Sequence, residues 1–438
     1  MRAQSINSNR LLYYPLAIAV TATVSSLILT GLIGLNGFRA IPYVRTISVM
    51  VCSLFLMVFF IGARLRLNIN KGLLFKGVIA LQVLSVAYLM IGLFRSNNIM
   101  YLVTDLIYLT IFFLTFLYGA CAFRKHSRHY TNEKFAKLII LLFFLLAVVS
   151  PLKIYPATEL LMLWTCALII CIAQKNRLQT LLLLLVIIPQ LPGVNRAFIL
   201  TVSLAFVLLF FSSKLSRKIK ITAASLIVAA ALSATFIGTD VFSGTNLERR
   251  INETMYLAFK ESQGDLPIPI QQRFYEGELI FRDIGESIIP ISILFGMGHG
   301  YTLDMTHSLD SAVISSQLLG GGDTHNIHFL HYALLARFGM LGVAVFSFIF
   351  IFAISRSFTL LKKTSQNENN LELIASLYIS LLFVFSVPAS SFLFSSMVLG
   401  YFCGIASEAY GPKVVKIQEK QIVKNLPSRK INSFANLS

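Results

Sequence analysis

The sequence predicts an all-α polytopic membrane protein with about 12 transmembrane helices and one large outer loop that contains short helices. Three observations carry this prediction. Of the 438 residues 56% are hydrophobic and only 13% are charged, whereas a soluble protein carries about 25% charged residues. Apolar runs of about 18 to 20 residues recur along the chain. Basic residues collect in alternate connections between these runs, as a membrane topology requires.

The predicted spans follow from the apolar runs in chain order. The fifth and seventh runs are the shortest, so we expect a total of roughly 11 to 13 spans. The predicted ranges are 12–34, 45–62, 77–94, 100–122, 138–152, 157–173, 178–191, 196–212, 221–238, 338–355, 373–387 and 391–407.

The distribution of positive charge predicts the orientation. With the N-terminus inside, most of the 37 Lys and Arg residues fall on inside segments, where short loops retain them. The formal net charge of +18 is therefore a topological signal, and we expect no nucleic-acid partner. Residues 408–438 are predicted to be a basic cytoplasmic tail that lies near anionic lipid. The short outer loops hold only Arg39, Arg45, Arg95, Lys153 and Arg196.

These patterns divide the chain into four parts. Residues 1–238 hold nine N-terminal helices, 239–337 form the large outer loop, 338–407 hold three C-terminal helices, and 408–438 form the tail. The outer loop holds twelve of the 19 acidic residues and five of the 7 histidines. Long loops cross the membrane largely regardless of charge, so function is the natural reason for these polar residues. The five cysteines lie in apolar runs without a CxxC pair, which indicates packing and not a disulfide or zinc framework.

Two amphipathic helices are predicted in the outer loop, one over 245–263 and one over 271–289. In the second, Arg273 and Glu276 are spaced i,i+3, and Glu278 and Arg282 are spaced i,i+4, so charges of both signs can meet along the helix. The alternative interpretation is a solvated helix with surface ion pairs.

Glycines alternate directly after the second helix, at Gly296, Gly298 and Gly300. Alternating glycines allow a sharp turn and a close approach of the backbone to a ligand. The motif lies outside a βαβ unit, so it does not predict a dinucleotide site.

The stretch THNIHFLHY, from Thr324 to Tyr332, holds His325, His328 and His331. Asp323 or Thr324 is predicted to cap a helix that begins near His325. On such a helix His325, His328 and Tyr332 share one face, and an imidazole there can accept a proton near neutral pH. The alternatives are an interfacial aromatic belt and a metal site, but an i,i+3 pair without further ligands is a poor zinc pattern, so no metal is predicted.

Arginines on the predicted outer side complement the histidines. Arg196 begins the eighth span after a Pro-rich turn, and Arg273 and Arg282 lie on the second loop helix. The planar fork of Arg matches phosphate oxygens in pairs, which favours a phosphorylated, lipid-borne substrate. Alternatively, Arg196 extends its side chain to the membrane surface.

Three landmarks in this order resemble the O-antigen ligase and O-antigen polymerase superfamily of bacterial inner-membrane glycosyltransferases. The landmarks lie between residues 189 and 356. They are Val194-Asn-Arg196-Ala-Phe at a span start, an Arg-led helix from Arg273 into the glycine turn at Gly300, and His325-Asn326 followed by Gly339-Met-Leu-Gly342. The catalytic-type histidine remains open between two candidates. Gly339 follows His328 by 11 residues, the family spacing, but His325 has the expected Asn neighbour; the His-Asn identity favours His325 slightly.

The resemblance implies a metal-independent glycosyltransferase without a cofactor. The donor is a glycan on undecaprenyl diphosphate, held by Arg196 and Arg273 with Arg282 as a third candidate. His325 or His328 deprotonates an acceptor hydroxyl, and Asn326 with Gly296, Gly298, Gly300, Gly339 and Gly342 support the site. The expected location is the bacterial inner membrane, with both termini cytoplasmic and residues 239–337 periplasmic. The expected partners are the lipid-linked glycan, an acceptor glycan or lipid A-core, membrane lipid, and a chain-length regulator.

The leading hypothesis is a polymerase of O-antigen, capsule or exopolysaccharide, and the runner-up is a ligase that moves glycan onto lipid A-core. A transporter or flippase is disfavoured, because transporters bury charge at the membrane midplane. Here the clear intramembrane acids are Asp105 and Glu159, near predicted outer ends. A sensor or structural protein is the third class.

Overall fold

The computed structural model describes most of the chain in helical segments. The described residues are 10–27, 47–55, 72–126, 132–148, 156–193, 196–212, 268–287, 291–304, 323–325, 327–363, 371–388 and 396–410. Among the predicted features, the span at 221–238, the loop helix at 245–263, Asn326 and the tail beyond 410 lie outside these ranges.

The described elements are almost entirely helical. The helices are α1 Arg10–Leu27, α2 47–55, α3 Leu73–Phe94, α4 Ile99–His126, α5 Asn132–Val148, α6 Thr158–Ala173, α7 Arg177–Ile187 with a 3₁₀ turn Ile188–Gly193, α8 Arg196–Ser212, α9 Ile268–Glu286, α10 Ile291–Phe295, α11 Leu330–Lys363, α12 Leu371–Ser386 and α13 Met397–Tyr410. The strands are β1 Leu303–Asp304 and β2 Asp323–Thr324, paired antiparallel with Leu303 opposite Thr324.

The predicted all-α class is confirmed for the described residues. A helix overlaps each predicted span that falls on described residues. Within the described part, three helices are long and apolar enough to cross a membrane, namely Leu73–Phe94, Ile99–Phe123 and Leu330–Lys363. The other apolar stretches described are 10–17 residues long, such as Leu12–Ser25 within α1, so the count of twelve spans stays a prediction.

Burial separates the central helices from the peripheral ones. Nearly every residue of α6, α12 and α13 is buried, as expected for helices that are apolar all round. On α3 the buried residues follow a helical period, at Leu74, Val78, Leu81, Ser85 and Tyr88. The opposite face of α3 exposes large apolar side chains, which suits contact with lipid.

Small residues set the close contact between α4 and α13. Gly400 and Gly404 form a G-x-x-x-G pattern on α13 that faces α4, and a Cβ on Gly404 would lie 2.7 Å from the backbone nitrogen of Ala120. Such small residues let membrane helices approach at the backbone. This packing fixes the helix that carries Asp105.

A glycine interrupts α11 near the predicted start of the tenth span. Gly339 has φ 59° and ψ −165° inside the helix, a conformation that only glycine adopts without strain. A Cβ at this position would lie 2.5 Å from the backbone nitrogen of Gly296. The interruption therefore lets the glycine turn pack against α11.

The helix predicted to begin near His325 begins later. Asp323 and Thr324 pair with β1, and α11 starts at Leu330, so neither residue caps a helix. Strand pairing with a distant segment overrides the local preference of these residues for an N-cap.

Candidate functional site

The three alternating glycines form the sharp turn that the sequence predicts. Gly296, Gly298 and Gly300 have φ of 72°, 82° and 75°, in the left-handed region that favours glycine. A Cβ on Gly298 would lie 2.6 Å from the backbone nitrogen of Gly92. In the described structure the close approach is therefore to the protein backbone of α3 and α11.

Hydrogen bonds hold this turn against the connection between α3 and α4. The backbone nitrogen of His299 donates to the carbonyl of Tyr88 at 3.1 Å. The side-chain amide of Asn97 donates to the carbonyls of Met297 and His299 at 2.9 and 2.8 Å. These bonds fix the position of the turn and of the residues that follow it.

Asp105 lies at the centre of a buried polar cluster. Its side chain is 5% exposed, and its Oδ2 accepts from the backbone nitrogen of Gly300 at 2.9 Å. Its Oδ1 lies 3.1 Å from Nε2 of His325 and 3.7 Å from Nη1 of Arg337. A charge in an apolar helix is costly unless it is paired and hydrogen-bonded, and this cluster meets that requirement. We call Asp105, Gly300, His325 and Arg337 the Asp105 cluster.

Both ring nitrogens of His325 are held by acceptors. Nδ1 lies 2.8 Å from the carbonyl oxygen of Tyr301, and Nε2 lies 3.1 Å from Oδ1 of Asp105. The ring also stacks on Tyr101 at 4.3 Å between centroids, and Arg337 donates to the His325 carbonyl. A carbonyl and a carboxylate only accept, so neither nitrogen of His325 presents a lone pair to a substrate in this arrangement.

His328 is held on one side only. Its Nδ1 donates to Oε1 of Glu276 at 2.6 Å, and its backbone nitrogen donates to Oε2 at 2.9 Å. The Glu276 side chain is fully buried and that of His328 is 32% exposed. Within the described part of the chain, Nε2 of His328 makes no hydrogen bond. A buried carboxylate on Nδ1–H selects the tautomer in which Nε2 can accept a proton. We call these two residues the Glu276–His328 pair.

Arg273 lies beside this pair. It precedes Glu276 by one helical turn of α9, and its guanidinium carbon lies 5.7 Å from the ring centre of Phe329, the neighbour of His328. Arg273 therefore lies near the segment that contains His328, and its predicted role in binding phosphate stays a prediction. Both carboxylate oxygens of Glu276 accept hydrogen bonds from His328.

The other predicted phosphate-binding arginines differ from Arg273. Arg282 follows it by nine residues, which is half a turn away on a helix. Its guanidinium lies 3.5 Å from Asp283 and 4.0 Å from Glu286. Arg282 therefore takes part in surface ion pairs, with these two carboxylates in place of the predicted partner Glu278. Arg196 begins α8 as predicted; its side chain lies outside the described part.

The third histidine of the stretch belongs to an aromatic group. The ring of His331 lies 5.3 Å from Phe329 and 4.2 Å from Tyr332, and the side chain is exposed. Because α11 begins at Leu330, the predicted shared helix face of His325, His328 and Tyr332 is wrong. His325 and His328 instead lie in the segment that leads into α11 at Leu330, which we call the entry segment. His325 lies beside Asp105 and His328 beside Glu276.

Two residues of the site were missed by the sequence reasoning. Asp105 was weighed only as evidence against a transporter, and Arg337 was not singled out. The available signal was an acid alone in a long apolar run, which by default indicates a functional site. Its partners lie more than 190 residues away in the chain, so no local pattern predicts them.

The comparisons with known proteins add no family assignment. The chain matches no protein-family model, and no curated protein matches it. The function is therefore argued from the geometry of these residues.

Proposed function

We propose that the protein is a membrane polysaccharide polymerase that transfers glycan from undecaprenyl diphosphate to an acceptor sugar hydroxyl, with His328 as general base. The observation that carries this proposal is the Glu276–His328 pair, in which a buried carboxylate holds Nδ1 while the side chain of His328 is 32% exposed, and Arg273 lies one helical turn before Glu276. The lipid-linked donor comes from the family resemblance of the sequence.

In the proposed step, Nε2 of His328 accepts the proton of the acceptor hydroxyl. The hydroxyl oxygen forms a bond to the anomeric carbon of the donor, and the bond between that carbon and the diphosphate oxygen breaks. Undecaprenyl diphosphate leaves with the bonding electron pair. Glu276 stabilises the imidazolium that forms, and its fixed position requires no reorganisation during the step.

Arg273 is proposed to hold the diphosphate. Its planar guanidinium can donate two parallel hydrogen bonds to phosphate oxygens and stabilise the charge of the leaving group. Arg196, at the start of α8, is the second candidate for this role. Arg282 is a weaker candidate, because carboxylates of its own helix already neutralise it.

The proposal assigns the base to His328, although the His-Asn identity slightly favoured His325. Two independent observations support the assignment. The ring nitrogens of His325 are both engaged, and Gly339 follows His328 by the spacing of the family that the sequence resembles. His325 and the Asp105 cluster then fix the entry segment that carries His328.

The test uses the purified full-length chain in lipid nanodiscs with a glycan on undecaprenyl diphosphate. We expect His328→Asn to lower the rate of glycan transfer by about 10²- to 10⁴-fold, the range for removal of a general base. His331→Asn is the matched control, since His331 is an exposed histidine of the same stretch, and should retain full transfer. Full activity in His328→Asn would refute the assignment.

The product separates the two family activities. Growth of a polymer on the lipid carrier supports the polymerase, and transfer to lipid A-core would make the protein a ligase. Arg273→Lys keeps the charge but removes the planar fork, so we expect a raised KM for the donor.

A further inference from the structure

A polar cavity lies where α3 ends and α4 begins. Its volume is about 400 Å³, within the range of sites that hold small molecules. Its walls come from the α3–α4 connection and from the end of the glycine turn. The lining residues are Arg95, Ser96, Asn97, Asn98, Met297, Tyr301 and Thr302.

The charge of the lining selects the ligand class. Arg95 is the one charged residue among the seven that line the cavity, and no acid is among them. Nη2 of Arg95 donates to Oγ of Ser292 at 2.6 Å, and Ser292 in turn accepts from Ser287 at 2.7 Å. A guanidinium has five N–H donors in a fixed fork. The bond to Ser292 therefore orients the guanidinium of Arg95 while its other N–H groups can donate to an oxyanion.

The backbone at Ser96 adds a second observation. Ser96 has φ 56°, and its backbone nitrogen and that of Asn97 donate to Leu93 and Gly92. These two bonds end α3 in a motif whose left-handed position usually holds glycine. This helix end places the exposed Ser96 at the cavity wall.

The opposite wall connects the cavity to the Asp105 cluster. Tyr301 is buried, its hydroxyl donates to Oδ2 of Asp283 at 2.7 Å, and its carbonyl accepts from His325. Burial and the bond to Asp283 raise the pKa of Tyr301, so the phenol stays a neutral donor. The cavity wall thus belongs to the framework that positions the entry segment of His328.

We infer that this cavity binds an anionic group of a sugar, a carboxylate or a phosphate ester, on the acceptor glycan, a role that rests on the transfer function proposed above. Arg95 pairs with the oxyanion, and Ser96 and Thr302 contact sugar hydroxyls. The donor diphosphate is held separately by Arg273, so the two anionic groups occupy different sites.

The test places a cysteine at the cavity wall. In the full-length protein with Ser96→Cys, a membrane-impermeant maleimide labels the new thiol, and inorganic phosphate, glucuronate and uncharged glucose are added as probes. We expect phosphate or glucuronate to slow labelling several-fold and glucose to leave it unchanged. Protection by glucuronate alone identifies a sugar carboxylate, and protection by phosphate alone identifies a phosphate ester.

Lys175→Cys is the matched control, because Lys175 has φ 62° in the same type of helix end after α6; its labelling should not respond to any probe. Arg95→Gln should abolish the protection of Ser96→Cys by the anions, and Thr302→Val should weaken it. In both variants the labelling rate without probe should be unchanged, which shows that the turn is intact. Protection that survives Arg95→Gln, equal protection by glucose, or no protection by either anion would overturn the inference.

Repeating the labelling in His328→Asn separates this inference from the proposed function. Protection there should be unchanged, because anion binding does not need the general base. If His328→Asn retains full transfer while Arg95→Gln loses protection, the transfer mechanism is wrong and the anion site stands.

Discussion

His325 and His328 lie three residues apart, each beside a buried carboxylate, but their rings are available to a substrate to different degrees. Both ring nitrogens of His325 face acceptors, Oδ1 of Asp105 and the carbonyl oxygen of Tyr301. His328 donates from Nδ1 to Glu276, and its side chain is twice as exposed, 32% against 15%. The number of acceptors around each ring decides whether it can accept a proton.

The two carboxylates also differ in their helices. Asp105 lies on α4, an apolar helix long enough to cross a membrane, and Glu276 lies on the amphipathic helix α9. The first carboxylate is surrounded by a guanidinium, an imidazole and a backbone N–H, as a charge in an apolar environment requires. The second carboxylate has both oxygens directed at His328. This comparison motivates a test in which the Asp105 cluster supports the structure and the Glu276–His328 pair carries the proposed proton transfer.

The largest effect is expected at the chemical site. Glu276→Gln keeps the shape of the side chain, but it cannot stabilise an imidazolium or accept both N–H bonds of His328. We expect the rate of glycan transfer, measured as kcat with lipid-linked donor, to fall about 10²- to 10⁴-fold. The variant protein should remain folded. Glu278→Gln, on the exposed side of the same helix, should change kcat little. Equal activity of the two variants would remove the distinction between the two histidine sites.

The next effect concerns the stability of the Asp105 cluster. Asp105→Asn removes a carboxylate from buried Arg337 and His325, and breaking a buried ion pair costs about 3–5 kcal/mol. The measurement is the free energy of unfolding of the purified protein in detergent. Glu133→Gln is the control, because its ion pair with Lys137 is exposed and should contribute less than about 1 kcal/mol. If Asp105→Asn unfolds at the same free energy as the unmodified protein but has lost transfer activity, Asp105 takes part in the chemistry and does not only stabilise the fold.

A substitution in the glycine turn tests the platform beneath both histidines. Gly298→Ala adds a Cβ at φ 82°, 2.6 Å from the backbone nitrogen of Gly92 and 2.7 Å from the carbonyl of Tyr88. We expect a loss of roughly 2–4 kcal/mol in the free energy of unfolding, from backbone strain and from displacement of α3. Gly285→Ala meets no atom within 4 Å and should be neutral or stabilise by up to about 1 kcal/mol. A neutral Gly298→Ala would show that the turn does not support the site.

The smallest effect is a pH dependence from His299. Its side chain is fully buried, with Nε2 3.1 Å from Oγ of Ser85, and burial lowers its pKa from 6.5 to about 4. The folded state keeps the imidazole neutral while the unfolded state takes a proton, so stability is lost as pH falls from about 6.5 to about 4. By pH 5 the loss should reach about 2 kcal/mol, measured by denaturant unfolding across this range. His299→Phe should flatten the profile; an unchanged slope would assign the pH dependence to other groups.

Local sequence patterns predicted much of the fold. The apolar runs place most helices correctly, although α11 runs over Leu330–Lys363 where the prediction was 338–355. The start of α8 at Arg196 was predicted correctly, and the alternating glycines adopt the predicted turn. The prediction failed at Asp323 and Thr324, where pairing with β1 replaced a helix cap. For Arg282 the surface ion-pair interpretation fits, with Asp283 and Glu286 as its neighbours.

The sequence by itself determined that this is a helical membrane protein with its histidines in one short stretch and an arginine-bearing helix before it. Tertiary structure alone decided which histidine has an accessible nitrogen. Hydropathy and helical spacing act over a few residues, so they can be read locally. Hydrogen-bond acceptors come from whichever segments pack together, and here α4 supplies Asp105 to His325 while α9 supplies Glu276 to His328. The availability of an imidazole is therefore a property of the packed helices and not of the stretch that contains it.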